Sequence, residues 1–464
     1  MPRPRVGDEI ELMVDDLAFG GAGVGRDDGF VVFVADAAPG ERVRARVRKS
    51  RRRHAEAELV EVLGEPGPAR REPPCPYVPR CGGCRLQHLD YPVTLDAKRR
   101  QVVEHLARIG GLSDVDVRPV DAAEPRLGYR NKMEYSFAPS PDGGPSLGLH
   151  ARGRWDEVLD LSSCLIASPR LDAVRASVRG WAETSGLDPY DQREQRGDLR
   201  HLVLREGTAT GEALATLVTS DGARIAEAVD ALAPRLAERH PDLVGVLHAV
   251  NPGVAESTQG LDSRVVWGGD TFAERVRGVE LRMSATAFFQ TNTHMTETLY
   301  GRVAEAAGLD GGQVLYDLFA GAGAIGVALG REAREVVAIE IQPEAVEDAR
   351  RNARDNGLSA HRALCGDVGT VLREMREELP DPDVAIVDPP RAGLNGKAIR
   401  RLLEFAPPTL VYVSCQPATF AENAAKFVDG GYALEYVQPV DMFPQTPHIE
   451  AVARFTRTRA RSAV

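Results

Sequence analysis

The chain has 464 residues, enough for two to four domains, and a formal net charge of −11 at pH 7. This acidic balance argues against a protein that coats nucleic acid over its whole surface, so any nucleic-acid contact needs a local basic patch. No apolar run reaches membrane-spanning length and the first residues lack a signal-peptide pattern, which predicts a cytoplasmic protein with no membrane partner.

The first part of the chain, residues 1–66, reads as short strands separated by glycine turns and predicts a small β-barrel. Positions 42, 44, 46 and 48 are all arginine, and the residues between them are apolar. A strand places these two sets on opposite faces, so the arginines form one charged row. Because such a row repels itself unless phosphate neutralises it, we predict RNA contacts at Arg44 and Arg46. A solvated barrel face is the alternative.

Residues 70–282 mix strand and helix patterns and predict a central α+β domain that carries four cysteines. Three of them, Cys75, Cys81 and Cys84, have C-x5-C-x2-C spacing, and Cys164 follows at a distance. In a cytoplasmic chain this density indicates a metal site rather than disulfides. The spacing is compatible with tetrahedral zinc and with a [4Fe–4S] cluster, and it does not decide between them.

Residues 283–464 alternate strands with helices, which predicts a doubly wound, mostly parallel sheet that ends in an antiparallel strand. The first strand leads into a G-x-G-x-x-G turn that begins at Gly321 and opens a helix, and the second strand ends at Glu340. Glycines let a ligand lie against the backbone, and an acid at this distance suits ribose hydroxyls. The pattern predicts an adenosine-bearing cofactor but does not separate NAD from S-adenosylmethionine.

Two later strands end in residues with reactive side chains. Asp388 ends one of them and is followed by two prolines, which would hold the carboxylate at the sheet edge. Cys415 ends the next, a β-branched run that is stopped by Pro417. Open α/β sheets place their chemistry at this edge, although a buried structural cysteine is the alternative. A methyl donor beside a base would use such an acid, whereas a dehydrogenase has no evident need for it.

These motifs occur in the order found in the RNA uracil-C5 methyltransferases, which the chain resembles at residue 290 and at residues 317–323, 340, 388–391, 414–417 and 446–450. The resemblance runs essentially from end to end. It implies S-adenosylmethionine as cofactor, contacted by Gln290, Phe319, Glu340, Asp367 and Asp388. It also implies that Cys415 is the nucleophile and Glu450 the general base. Ala324 stands where the family has asparagine, so one hydrogen bond to the cofactor would be absent or come from backbone.

The resemblance has further implications for the substrate and the cysteines. The N-terminal barrel is similar to the TRAM domain, an RNA-binding module, and the four cysteines then imply a [4Fe–4S] cluster in preference to zinc. Phe288 would stack on a uracil that has left its helix, while Phe289 would lie in the core. Barrel and cysteines together look like the members that act on ribosomal RNA. Cys365 reads as an inert core residue.

The implied chemistry sets requirements on both catalytic side chains. A thiolate must add to carbon 6 of uracil, so we expect the site to lower the pKa of Cys415 or to deprotonate the thiol on attack. A closed pocket should raise the pKa of Glu450 toward neutrality. Three alternatives stay open: a transfer-RNA uridine as target, methylation of an exocyclic amine in RNA, and a non-catalytic RNA-binding iron–sulfur protein. The sequence leaves the oligomeric state open, and a monomer is favoured.

Overall fold

The computed structural model describes residues 3–258 and 260–458. Its N-terminal part is a closed barrel of five strands in the order β1-β2-β3-β5-β4. The strands are β1 (Glu9–Leu17), β2 (Gly23–Asp27), β3 (Phe30–Ala35), β4 (Arg42–Ser50) and β5 (His54–Val62). Val43, Ala45 and Val47 of β4 are fully buried in the barrel interior, as their alternation with arginine predicted. The predicted N-terminal barrel is therefore confirmed.

The arginine row on the outside of β4 is neutralised within the barrel. Arg44 pairs with Glu61 and, at 3.0 Å, with Glu11, while Arg46 pairs with Glu9 at 2.8 Å. Across the row, five cations at positions 42, 44, 46, 48 and 49 face five glutamates at positions 9, 11, 56, 58 and 61. The argument that this row repels itself without phosphate is wrong, because the neighbouring strands supply opposite charges.

The central part of the chain contains a seven-stranded sheet in the order β13-β12-β11-β10-β7-β8-β9 and a β14-β15 hairpin. Helices α2 and α3 pack on the seven-stranded sheet in one hydrophobic cluster. The elements, in chain order, are α1 (Tyr91–Arg108), β6 (Asp116–Val117), β7 (Lys132–Pro139), β8 (Pro145–His150), β9 (Val158–Asp160), α2 (Pro169–Thr184), β10 (Leu199–Glu206), β11 (Ala213–Thr219), α3 (Ala223–Arg239), β12 (Leu243–Val250), β13 (Ser263–Gly268), β14 (Thr271–Val276) and β15 (Val279–Ser284).

The C-terminal part is built around an eight-stranded sheet in the order β18-β17-β16-β19-β20-β22-β21-β6. Its elements are α4 (Thr293–Ala307), β16 (Val314–Leu318), α5 (Ala324–Leu329) with a 3-10 turn at Gly330–Glu332, β17 (Glu335–Glu340), α6 (Pro343–Asp355), β18 (His361–Cys365), α7 (Val368–Glu374), β19 (Val384–Val387), α8 (Gly396–Phe405), β20 (Thr409–Ser414), α9 (Pro417–Asp429), β21 (Tyr432–Val440) and β22 (Glu450–Arg457).

Strands β16 to β20 are parallel, and β22 runs antiparallel to β20. Apolar side chains of β16 alternate between the two faces: Leu315 packs with α4 and α5, and Tyr316 packs with α7, α8 and α9. This two-sided burial confirms the predicted doubly wound sheet. From the earlier segment, α1 packs on the α9 side and β6 extends the sheet beside β21.

Cys365 does not lie in the core. It is exposed, because β18 is the edge strand of the sheet and Cys365 is its last residue. The expectation of an inert core cysteine is therefore wrong. Among the helices that the structure describes, none has the length and apolar character to cross a membrane.

Candidate functional site

The candidate site lies at one edge of the C-terminal sheet. Parallel strands place their carboxyl ends at the same edge, and the antiparallel β22 brings its amino end there. Register confirms this arrangement: Ser414 at the end of β20 pairs with Ala451 of β22. Cys415 follows Ser414 and Glu450 precedes Ala451, so Cys415 and Glu450 lie at the same edge of the sheet.

The turn after β16 has the backbone of a ligand-binding loop. Phe319, Gly321 and Gly323 all have positive φ, at 65°, 54° and 75°. For Phe319 this conformation costs free energy, and such strain concentrates at functional sites. Gly326 lies so close to the first strand that its N–H donates to Asp317 Oδ2 at 2.7 Å. A Cβ at Gly326 would lie 2.8 Å from that oxygen, so any larger residue would displace the Asp317 carboxylate.

Two further cofactor candidates lie at the ends of the next strands. The Glu340 carboxylate bridges the glycine turn and its own loop, since Oε2 accepts from the N–H of Gly321 and Oε1 from that of Gln342, both at 2.9 Å. Each oxygen keeps a lone pair for a ligand hydroxyl. Asp367 caps α7 by accepting from the N–H of Thr370 at 3.0 Å. The structure therefore brings Gly321 and Glu340 into contact and sets Asp367 one strand further along.

Asp388 stands at the end of β19, next to the topological reversal between β16 and β19. Burial raises its pKa to about 7, while the Gln290 amide, whose Nε2 is 3.5 Å from Oδ2, opposes this rise. Gln290 is itself held from the central domain, because the side-chain amide of Asn131 donates to its carbonyl at 3.1 Å. Two predicted cofactor residues thus meet, although they are far apart in sequence.

Cys415 is half-buried and has a raised pKa in the ligand-free protein. Burial is the main cause, the negative charges of Glu450 and Asp388 add to it, and together they raise the pKa to about 12. Arg391 opposes this rise. Of the two expected routes to the thiolate, a lowered thiol pKa is not found in the ligand-free protein, because neighbouring carboxylates disfavour a second negative charge. Deprotonation of the thiol on attack stays a prediction.

Glu450 is 3% exposed, and burial raises its pKa well above its usual range. Among the described residues its Oε2 finds no hydrogen-bond partner. An uncommitted carboxylate oxygen in a low-dielectric pocket is suited to accept a proton from a bound ligand. Sequence reasoning named this residue only through resemblance. Sequence reasoning gave no role to Arg391. The positive charge of Arg391 favours the ionised forms of both Glu450 and Cys415. Its only signal in the sequence was its position after Pro390.

The two adjacent phenylalanines point in different directions, as predicted. Phe288 is 67% exposed, whereas Phe289 is 4% exposed. The carbonyl oxygen of Phe288 lies 3.8 Å from the position that a Cβ on Gly321 would occupy. The backbone that carries this exposed aromatic side chain therefore lies beside the glycine turn after β16.

The four predicted cysteine ligands come together in the central domain. Cys75, Cys81, Cys84 and Cys164 line one cavity. Burial raises the pKa of Cys84 to about 12, and Gln87 opposes the rise through a side-chain hydrogen bond. Over residues 3–258 and 260–458, no three His, Cys, Asp or Glu side chains are grouped so as to hold a metal ion. The thiols therefore share a cavity without being closed around a centre.

Comparisons with known proteins agree with this architecture. Residues 269–458 match the family described as tRNA (uracil-5-)-methyltransferase, and residues 3–60 match the TRAM domain. An uncharacterized RNA methyltransferase of Caldanaerobacter subterraneus is 36% identical over 96% of this chain and 98% of its own. One of Gloeobacter violaceus is 37% identical over 97% of both chains. The crystal structure of the Pyrococcus abyssi tRNA (uracil-54, C5)-methyltransferase with S-adenosyl-L-homocysteine matches with a TM-score of 0.76 and 28% identity, over 96% of this chain and 99% of that one.

Proposed function

Because this chain belongs to the RNA uracil-5 methyltransferase family, whose members use S-adenosylmethionine, we propose that it methylates carbon 5 of a uridine through a covalent Cys415 intermediate. One observation carries the proposal. A cysteine and a buried carboxylate, one oxygen of which has no hydrogen-bond partner within the described part of the chain, stand at the same sheet edge as the glycine turn. Exocyclic-amine methylation has no use for that cysteine.

The two side chains supply the two steps that carbon 5 needs. The Cys415 thiolate adds to carbon 6 of the ring, and the displaced electron pair forms an enolate. Carbon 5 of this enolate takes the methyl group from the sulfonium of S-adenosylmethionine, and the electron pair of the broken bond between sulfur and methyl stays on the departing S-adenosylhomocysteine. Glu450 then removes the proton of carbon 5. The electron pair of that C–H bond restores the double bond between carbons 5 and 6, and the pair of the C–S bond returns to the Cys415 sulfur.

The electrostatics of the free site suit a cationic cosubstrate. Burial raises the pKa of Asp388, Cys415 and Glu450, so their negative forms are disfavoured in the ligand-free protein. A sulfonium cation beside them would favour ionisation of all three groups. We therefore propose that Cys415 becomes a thiolate only after the cosubstrate has bound, which restricts its reactivity to the complete complex.

The cofactor residues have distinct proposed roles. Glu340 would accept from the ribose hydroxyls, and the strained Phe319–Gly321 turn would lie against the nucleoside. Asp388 and Gln290 would face the positively charged end of the cosubstrate. Asp367, one strand further along, would accept from the adenine amino group. At position 324, alanine replaces the asparagine of the family and offers no side-chain hydrogen bond. Backbone N–H groups at the start of α5 would bind the cofactor in its place.

For the substrate, we propose ribosomal RNA, on the combination of a TRAM barrel with four cysteines. Transfer RNA is the second candidate, because the Pyrococcus abyssi protein acts on it. Phe288 would stack on the extruded uracil. Arg44 and Arg46 would contact phosphates, since exposed ion pairs contribute only about 0–1 kcal/mol and phosphate can replace the glutamates. Methylation of unmodified ribosomal RNA and transfer RNA in parallel distinguishes the two.

We further propose that the four cysteines hold a [4Fe–4S] cluster. An all-thiolate donor set around one cavity fits such a cluster, and the thiols would close on it as it binds. Because methyl transfer needs no electron, the proposed role of the cluster is structural. It would join separate segments of the chain. Anaerobically purified protein is expected to be brown and to contain about four irons per chain. A colourless protein with one zinc would contradict the proposal.

The decisive experiment uses RNA that contains 5-fluorouridine. Fluorine on carbon 5 cannot leave as a proton, so after methyl transfer the enzyme and the methylated RNA should stay joined through the bond between Cys415 and carbon 6, in a complex that survives denaturation. Cys415→Ser should form no complex, whereas Cys365→Ser, at an exposed cysteine, should form it normally. Methylation that persists in Cys415→Ala would favour an exocyclic amine as target. No transfer from labelled cosubstrate to any RNA would favour a non-catalytic protein.

A further inference from the structure

The connection between β21 and β22, which leads into Glu450, is held by hydrogen bonds from outside the C-terminal domain. Three successive carbonyl oxygens in it accept such bonds. That of Phe443 accepts from Lys98 Nζ at 3.3 Å, that of Pro444 from the Tyr129 hydroxyl at 3.1 Å, and that of Gln445 from the backbone N–H groups of residues 85 and 86 at 3.0 and 3.1 Å. We call residues 443–447 the base turn.

The donors belong to the cysteine-bearing segment and its surroundings. Residues 85 and 86 directly follow Cys84. Tyr129 is buried in a small hydrophobic cluster with Cys84 and Ile166. Lys98, on α1, is buried and also donates to Asp441 Oδ1 at 2.5 Å, which holds the start of the same connection. The cavity of the four thiols is therefore linked to the base turn by direct contacts.

The base turn depends on such restraints. Gln445 has a φ of 68°, which a residue with a side chain adopts only at a cost. Inside the turn, the Thr446 hydroxyl donates to the carbonyl of Phe443 at 2.8 Å. Because Glu450 Oε2 has no hydrogen-bond partner among the described residues, the direction of this carboxylate depends on packing and on the backbone that carries it.

We propose that Tyr129, together with the N–H groups of residues 85 and 86, positions Glu450 for removal of the carbon-5 proton. Tyr129 is a positioning residue, because it acts through the base turn. The proposal rests on the proposed function and deepens it, since it assigns the cysteine-bearing segment a part in one step of the reaction. That step takes the proton to the Glu450 carboxylate, restores the double bond between carbons 5 and 6, and returns the electron pair of the C–S bond to Cys415.

Glu450 acts only after methyl transfer, so a loosened base turn should slow product release from Cys415 more than it slows methylation. The test uses RNA labelled with tritium on carbon 5 of uridine and cosubstrate labelled in its methyl group. In the wild type, methyl incorporation and tritium release should keep pace. Tyr129→Phe should slow tritium release at least fivefold more than methyl incorporation. Methylated RNA should then accumulate as a denaturation-resistant complex with the protein.

A matched control comes from a second buried tyrosine. The Tyr432 hydroxyl donates to the carbonyl of Pro407 at 2.8 Å, at the far end of β21 from the base turn. Tyr432→Phe removes the same kind of hydrogen bond and should leave the two rates in step. Thr446→Val, which loosens the base turn from within, should reproduce the Tyr129→Phe result, and it serves as the test if Tyr129→Phe does not fold.

The outcomes separate the two proposals. If wild-type protein forms no complex with 5-fluorouridine RNA, the proposed function fails. If that complex forms and Tyr129→Phe or Thr446→Val lowers both rates equally, or changes neither, only the positioning role fails. Slow hydrogen exchange of residues 443–448 in the wild type, and faster exchange in Tyr129→Phe but not in Tyr432→Phe, would locate the effect in the base turn.

Discussion

The charge of the cosubstrate is expected to control the reactivity of Cys415. In the ligand-free protein, burial and nearby carboxylates raise the pKa of this thiol from about 9 to about 12. A rise of three units lowers the thiolate fraction about a thousandfold. A thiolate of higher pKa is also a better nucleophile, with a Brønsted coefficient of about 0.4–0.5, and this raises the alkylation rate of the thiolate about twentyfold. Alkylation of Cys415 should therefore be about fortyfold slower than that of an ordinary exposed thiol.

S-adenosylmethionine should reverse much of this effect. A unit positive charge about 6 Å from the sulfur, at an effective dielectric constant of about 20, favours the thiolate by about 2.8 kcal/mol, or about two pKa units. After the same correction for nucleophilicity, alkylation of Cys415 should become about tenfold faster. S-adenosylhomocysteine fills the same space without the sulfonium charge and should not accelerate the reaction.

The assay is alkylation with iodoacetamide at pH 8, followed by mass spectrometry of the separate cysteine peptides. Cys365 is the internal reference, because it is exposed in the same protein. The rate of Cys415 relative to Cys365 gives the effect of burial, and the ratio of rates with the two cofactors gives the effect of charge. Equal rates for the two cysteines without ligand would refute the argument from burial. Equal rates at Cys415 with the two cofactors would refute the role of the sulfonium.

Four other variants have defined outcomes. Gly323 has a φ of 75°, and a Cβ there would lie 2.8 Å from a neighbouring alanine Cβ. Gly323→Ala should therefore lower the free energy of unfolding, measured by thermal denaturation, by about 2–4 kcal/mol. Gly311→Ala, also at positive φ but with no neighbour within 4 Å, should lower it by about 1 kcal/mol. Asp388 has a pKa of about 7 when folded and about 3.8 when unfolded, so the stability it contributes is lost as pH rises from about 4 to 7. Asp388→Asn should flatten the fall in Tm over that range. Arg44→Gln with Arg46→Gln should reduce the slope of log affinity for RNA against log salt by about 1.5–2 in binding titrations.

Each of these outcomes has a clear opposite. Similar losses at the two glycines would mean that the contact at Gly323 relaxes without cost. An unchanged pH dependence in Asp388→Asn would mean that this carboxyl ionises as freely in the folded protein as in the unfolded one. An unchanged salt slope after the double arginine substitution would show that phosphate does not displace the glutamates of the barrel.

The sequence alone determined which strand ends meet at the candidate site. Asp388 and Cys415 directly follow two strands that are successive along the chain, and Glu340 ends another strand of the same sheet. Parallel strands have their carboxyl ends at one edge whatever the details of packing, so the order of elements was enough to predict that these residues converge. The barrel followed in the same way, because strict alternation of arginine with apolar residues is a local property of one strand.

Tertiary structure alone decided the electrostatics and the supports of the site. The glutamates that neutralise Arg44 and Arg46 come from other strands, and the rise in the pKa of Cys415 comes from burial and from carboxylates distant in sequence. The hydrogen bond from Tyr129 to Pro444 joins two domains and has no motif. Periodicity and spacing describe neighbours along the chain, whereas charge pairing, desolvation and long-range hydrogen bonds depend on which residues meet in space. These contacts exist only after the chain has folded.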